Sequence, residues 1–248
     1  MDIMDYVIAF HKDAERQGPG SYQATKRALQ YLPTLHSDSK ILDIGAGTGA
    51  QTMVLAEHTE AKIVAIDMLQ EFLNQLQEKI NLNNLNERII TQQDLMDNIN
   101  VENKAFDVIW SEGAIYNIGF KKGLLEWKKF LKDTGYMVIS EISWLTEERP
   151  KEIEDYWLEA YPEIDTIDAK LAVIEEVGYE NVVHFILSER EWKEYYTPIL
   201  SRTNAFLKEY NYTKEAEDFI KMALDEIKVY EKFKDYYSYV FYIIKVNN

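Results

Sequence analysis

"KILDIGAGTGAQT", residues 40–52, passes from an apolar run through a glycine-rich turn into a polar stretch. Lys40–Ile44 reads as a buried strand, Gly45, Ala46, Gly47, Thr48 and Gly49 as the turn, and the residues from Ala50 on as the start of a helix. Glycines in such a turn let backbone approach a ligand that also faces the helix N-terminus. Gly45, Gly47 and Ala50 fit the looser dinucleotide fingerprint as well, with Asp67 standing 20 residues beyond Gly47 as an acid for ribose hydroxyls. The turn alone therefore admits a nicotinamide dinucleotide or another adenosine-bearing cofactor. Asp43 bears on the choice, because a carboxylate inside a doubly covered strand needs donors. A cationic amino-acid headgroup or the amides of the turn would supply them, whereas a pyrophosphate would repel it; the alternative is that Asp43 only braces the loop.

Outward from this stretch, short apolar runs alternate with amphipathic ones through the first 145 residues, the pattern of a parallel sheet covered on both faces. Strands are expected near 40–45, 62–67, 88–92, 106–111 and 136–141, with helices over "TGAQTMVLAEHT", "MLQEFLNQLQEKINLNN" and "KKGLLEWKKFLKD" between them. Helices near 3–12 and up to about Leu32, separated by "RQGPGS" (Arg16–Ser21), precede the sheet. After it come helices near 150–160 and 167–177, a sixth strand "NVVHFILS" (181–188), two helices within 189–234 joined around "NYT" (211–213), and a last strand in "YYSYVFYIIKV" (236–246).

The 248 residues, 46% hydrophobic, suit one elaborated domain spanning 1–248. With 43 acidic and 27 basic residues the net charge is -16 and no basic patch stands out, which disfavours nucleic acid as a partner. There is no cysteine, and His11, His36, His58 and His184 lack ligand spacing, so no metal is expected. No segment has the run of about 18 apolar residues a membrane span needs, and the N-terminus does not read as a signal peptide. The expectation is a cytoplasmic protein without a membrane partner, as monomer or homodimer.

Five stretches, "ILDIGAGTGAQT" (41–52), "VAIDM" (64–68), "QQDL" (92–95), "FDVIWSEGAIYNIG" (106–119) and "LKDTGYMVISE" (131–141), resemble in order and spacing the class I S-adenosylmethionine (SAM)-dependent methyltransferases. "RQGPGS" and "YWLEAYPEI" (156–164) look like features of a bacterial small-molecule branch. The resemblance implies an α/β fold: a doubly wound, mostly parallel seven-stranded sheet of order 3-2-1-4-5-7-6 with the last strand antiparallel, N-terminal helices, and here a helical insertion between strands six and seven.

It also implies SAM as cofactor and S-adenosylhomocysteine (SAH) as product. Gly45, Ala46 and Gly47 would lie under the methionine part with Asp43 linked to its ammonium. Asp67 would take the ribose hydroxyls, Met68 would pack against the adenine, and Asp94 would accept its amino group or else cap the turn, with Leu95 alongside offering its backbone N–H to the ring. Gly20, in a flap formed by residues 1–35, and Ser111 complete the cofactor set, while Arg16 and Gln17 are placed to reach the methionine carboxylate. The tip of the fourth strand would face the acceptor: Glu112 and Tyr116 as candidate catalytic and substrate groups, Asn117 as an orienting group, with Glu141 and Trp144 at the end of strand five in the same crevice. Each has a plainer reading as turn or core packing. Acidic groups beside an aromatic ring suit a cationic acceptor. Methyl transfer to a small-molecule N or O nucleophile is the expectation; a SAM-binding protein with another reaction, an NAD-dependent oxidoreductase and a macromolecular methyltransferase are the alternatives.

Overall fold

A computed structural model of the chain describes residues 3–247. Lys40–Ile44 (β1) sets the organisation through its alternation: Leu42 and Ile44 join the core on one face of the sheet, Ile41 the core on the other. It pairs in parallel with Lys62–Asp67 (β2) on one side and Phe106–Glu112 (β4) on the other. Ile89–Gln93 (β3) extends the sheet beyond β2, and Leu131–Trp144 (β5) extends it beyond β4. Tyr237–Val246 (β8) lies antiparallel between β5 and Tyr179–Ile186 (β7), giving the order β3-β2-β1-β4-β5-β8-β7.

The expected order is thus present, with one strand more. Asp165–Thr166 (β6) pairs in parallel with Ser143 and Trp144, which shifts the later strand numbers by one; two residues carry too little periodicity to announce a strand. β5 is also longer than expected. Its partner β8 stays in register from Tyr136↔Lys245 to Trp144↔Tyr237, so β5 continues past the end of β4. The helix expected over "KKGLLEWKKFLKD" is shorter. Phe120–Trp127 (α5) tightens into a 3-10 turn at 128–130, because Phe130 and Leu131 are drawn into the same core as Trp127 and Leu131 opens β5.

Ala50–His58 (α3) and Gln70–Leu82 (α4) cover one face of the sheet, and Tyr22–Leu29 (α2) packs on α3; α5 and Ile167–Glu176 (α7) cover the other. Lys151–Ala160 (α6) follows β5. Glu189–Glu209 (α8) and Lys214–Phe233 (α9) form the insertion between β7 and β8. α8 begins on a capping box, Ser188 with Glu191, and the Thr213 side chain caps α9. The first helix, Ile3–His11 (α1), joins this insertion: the Phe10 ring meets Phe206 edge-on at 5.0 Å and Phe219 at 5.4 Å.

Gly49 leads the glycine turn into α3 at φ +86°, and a Cβ there would lie 2.2 Å from Leu76 Cδ1 of α4. Left-handed backbone costs a residue with a side chain roughly 1–2 kcal/mol before any clash is counted. Gly49→Ala is expected to lower the urea midpoint by at least that equivalent; an unchanged midpoint would contradict the left-handed backbone at this position.

Candidate functional site

The strand order reverses between β1 and β4, and in wound sheets ligands bind beyond the carboxyl ends of the strands at that point. A cavity of about 600 Å³ opens there. Gly45, Ala46 and Gly47 enter it from the end of β1, Asp67 and Met68 from β2, Asp94 and Leu95 from β3, and Glu112, Tyr116 and Asn117 from β4 and the turn after it.

Asp67 holds the glycine turn. Its Oδ2 accepts the Gly47 amide at 2.8 Å and its Oδ1 the Leu69 amide at 2.9 Å. Burial raises its pKa, with these amide bonds pulling the other way. Gly47, at φ +55°, leaves no room for a side chain, since a Cβ would stand 2.3 Å from Gln17 Oε1. Met68 and Leu95 keep 51% and 53% of their surface exposed, an apolar lip on either side of the cavity. Asp94 receives both the Asn100 amide and the Gln92 side chain on Oδ2, so its turn-capping role is present at the cavity wall.

Asp43 lies beneath the turn rather than in the cavity. It is fully buried, its Oδ2 accepting from Thr52 at 2.5 Å and its Oδ1 from Gln51 at 3.2 Å. The donors it needs are side chains of the first turn of α3, two polar residues on a buried helix face. Burial lifts its pKa to about 7 against those two bonds.

Glu112 is not a free carboxylate. Arg16 Nη1 donates to its Oε2 at 2.7 Å, and Thr25 Oγ1 and Trp110 Nε1 donate to its Oε1 at 2.7 and 2.9 Å. Arg16 therefore reaches across to the tip of β4, while Gln17 bonds the amide and hydroxyl of Thr48. Gly20 lines a smaller cavity of about 130 Å³ beside this link, and a Cβ there would lie 2.9 Å from Arg16 Nη1.

Besides Asp43 and Gly20, three expected residues lie outside the large cavity. Ser111 is fully buried within β4. Glu141 is fully buried and takes the Tyr161 hydroxyl at 2.6 Å and Lys170 Nζ at 3.0 Å, because the face of β5 it occupies looks into α7. Trp144 packs on Tyr237, and its cation is internal, the Arg149 guanidinium 4.4 Å from the ring centroid. Among the described residues no group of three or more His, Cys, Asp or Glu is placed to hold a metal ion, and no helix is long and apolar enough to cross a membrane.

A family model described as a methyltransferase domain matches residues 35–204. The chain belongs to this methyltransferase family. It is 27% identical over 207 residues to the phosphoethanolamine N-methyltransferase of Plasmodium falciparum, covering 82% of this chain and 73% of that one. Among solved structures, a SAM-dependent methyltransferase from Thiobacillus denitrificans in complex with SAH superposes with a TM-score of 0.83 at 15% identity, over 100% of this chain and 99% of that one. Its counterpart from Geobacter sulfurreducens, also in complex with SAH, gives 0.82 at 17% identity, over 99% and 98%. At such identities these two establish the shared fold.

Two residues of this methyltransferase escape a reading of its motifs. Thr25 is fully buried in α2 and links Arg16 to Glu112; only its polarity among alanines hints at it. Glu226 breaks the apolar stripe of α9 that runs through Phe219, Ala223, Tyr230 and Phe233, a visible interruption at helical spacing.

The folded chain keeps a proton on Asp43 where the unfolded chain, with an ordinary value of 3.8, has lost it. Between about 4 and 7 the native state binds more protons, so this carboxyl's contribution to stability is full below 3.8 and is lost as pH rises to about 7. The melting temperature of wild type minus that of Asp43→Asn is expected to fall across that window and level off above it. A difference independent of pH would contradict the raised value.

Proposed function

We propose that this methyltransferase transfers a methyl group from SAM to a small-molecule acceptor held at the tip of β4. The observation that carries the reading is the convergence of the glycine turn, Asp67 and the β4 tip on one cavity at the reversal of strand order, in a chain of a methyltransferase family. The residues present fit the cofactor. Gly45 and Gly47 offer bare backbone, Asp67 retains lone pairs beyond its two amide bonds, and the exposed Met68 and Leu95 offer an apolar slot for a flat base. Asp94 has both of its protein bonds on Oδ2, leaving Oδ1 for an exocyclic amino group. Two structural neighbours were solved with SAH, which supports the same assignment.

When bound, SAM supplies a methyl group on a sulfonium, which a nucleophile's lone pair takes up in line as the C–S bond breaks and leaves its electron pair on sulfur. The chain's part in such a displacement is positioning and exclusion of water, and positioning alone is worth about 7–11 kcal/mol of barrier. Gln17 on Thr48 and Arg16 on Glu112 tie the N-terminal segment across the cavity, so residues 3–35 act as its cover. We assign Glu112 to this fastening. Both of its oxygens are already engaged by protein donors, one of them an arginine. Tyr116 and Asn117, which line the cavity beyond Glu112, are the groups left to meet the acceptor.

Asp67→Ala is expected to weaken SAH binding by roughly tenfold to a hundredfold through loss of charge-assisted hydrogen bonds. Calorimetric titration of SAH into both proteins measures it, and equal affinities would remove Asp67 from the ribose. The reading as a whole is tested by thermal shift with SAH and with NADH. Stabilisation by SAH and not by NADH is expected; the reverse would make the site a nicotinamide site.

A further inference from the structure

Glu226 sits on the core-facing stripe of α9 with a single hydrogen bond, from the Tyr196 hydroxyl to its Oε1 at 3.0 Å. Among the described residues no lysine, arginine or histidine forms an ion pair with it. Its surface is accessible, yet protein surrounds the carboxyl closely enough that burial raises its pKa, with the Tyr196 bond opposing and no cation contributing. Its partner Tyr196 packs beside Tyr195, the two ring centroids 5.2 Å apart. Asp43 and Asp67 have donors on both oxygens, Glu112 has an arginine and Glu141 a lysine. Glu226 has neither a cation nor a donor on its second oxygen.

The groups around it are phenols. Burial first, with the Glu226 charge contributing, raises the pKa values of Tyr116, Tyr195 and Tyr239, so all three rings stand within electrostatic reach of the carboxylate. Geometry connects them to the cofactor cavity. Tyr116 lines it and remains 39% exposed, its ring 5.9 Å from Tyr161. Gly113 lines it too, with the Tyr239 hydroxyl 3.9 Å from the position a Cβ would take. Tyr195 reaches in from α8 and lines the adjoining smaller cavity beside Arg16. Aromatic faces beside a carboxylate that has no cation are the chemistry that selects an organic ammonium, since each ring adds about 0.5–2 kcal/mol to a cation.

We propose that Glu226, Tyr116, Tyr195 and Tyr239 form the acceptor site and that it takes a small aliphatic amine in its ammonium form, which gives up a proton to solvent before its nitrogen lone pair takes up the methyl group. This rests on the reading of the β4 tip as the acceptor end of a methyltransferase cavity. The insertion α8–α9 then supplies the acceptor's counter-charge, while the glycine turn and Asp67 serve the cofactor.

The test uses the full chain saturated with SAH and a pair of probes of equal shape, choline and its uncharged isostere 3,3-dimethylbutan-1-ol, titrated calorimetrically. Choline is expected to bind roughly tenfold or more tightly than the alcohol, the worth of one enclosed cation–aromatic and charge contact. Glu226→Gln is expected to remove that preference while SAH affinity and melting temperature stay at wild-type values. Equal binding of the two probes to wild type, or an undiminished preference in Glu226→Gln, would overturn the proposal. The wild-type comparison stands even if the variant does not fold. Should SAH fail to bind, the cofactor reading falls on its own, and the same two probes titrated into the unliganded chain still decide whether the cation site exists.

Discussion

The carboxylate of Glu112 is the point on which the upper half of the molecule hangs. It ends β4, and the three groups that donate to it come from the N-terminal loop, from α2 and from β4 itself. Removing one partner of a buried pair leaves the other charged and unpaired, a loss of about 3–5 kcal/mol in typical cases, so the link is firm once made. Because Arg16 and Gln17 are adjacent in sequence, fixing one on β4 fixes the other on Thr48, and the cavity acquires a wall from a segment that makes no strand of the sheet. α1, further along the same segment, is held by Phe10 among the rings of α8 and α9. The N-terminal segment and the late insertion thereby meet over the sheet's carboxyl edge.

Much of the sheet was legible in the sequence because its physics is local. Ile41, Leu42 and Ile44 announce a strand covered on both faces, and the turn after them needs glycine at Gly47 and Gly49 for reasons visible in the backbone. The long antiparallel register of β5 with β8 is a pairing of distant segments, and no window of sequence around β5 contains it. β6 escaped for a different reason, its two residues being too few to show any periodicity.

Site residues divide along that line. Positions fixed by a motif on a strand end, such as Asp67, Met68, Asp94 and Leu95, reach the cavity because the strand delivers them there. Polar residues whose meaning depends on a partner were another matter. Glu141 and Glu112 look alike in sequence, each near the end of a central strand. One is neutralised by Lys170 from α7 and the other by Arg16 from the N-terminal loop. Trp144 likewise had an aromatic ring to offer, and Arg149, five positions on, already occupies it. Sequence names the group; only the fold names its counterpart.

The insertion leaves the sheet after Ile186 and returns at Tyr237, and at its base the Leu187 amide bonds the Tyr239 carbonyl at 2.9 Å. The segment between β7 and β8 is thus a loop closed at its base by the sheet itself. The cost of closing such a loop grows only with the logarithm of its length, about 0.6 kcal/mol per doubling. α8 and α9 can therefore be lengthened, shortened or exchanged with little strain on β7 and β8, and the scaffold can change what it encloses without rebuilding the turn of Gly45–Gly49. In evolutionary terms the molecule is a fixed socket with a replaceable hood.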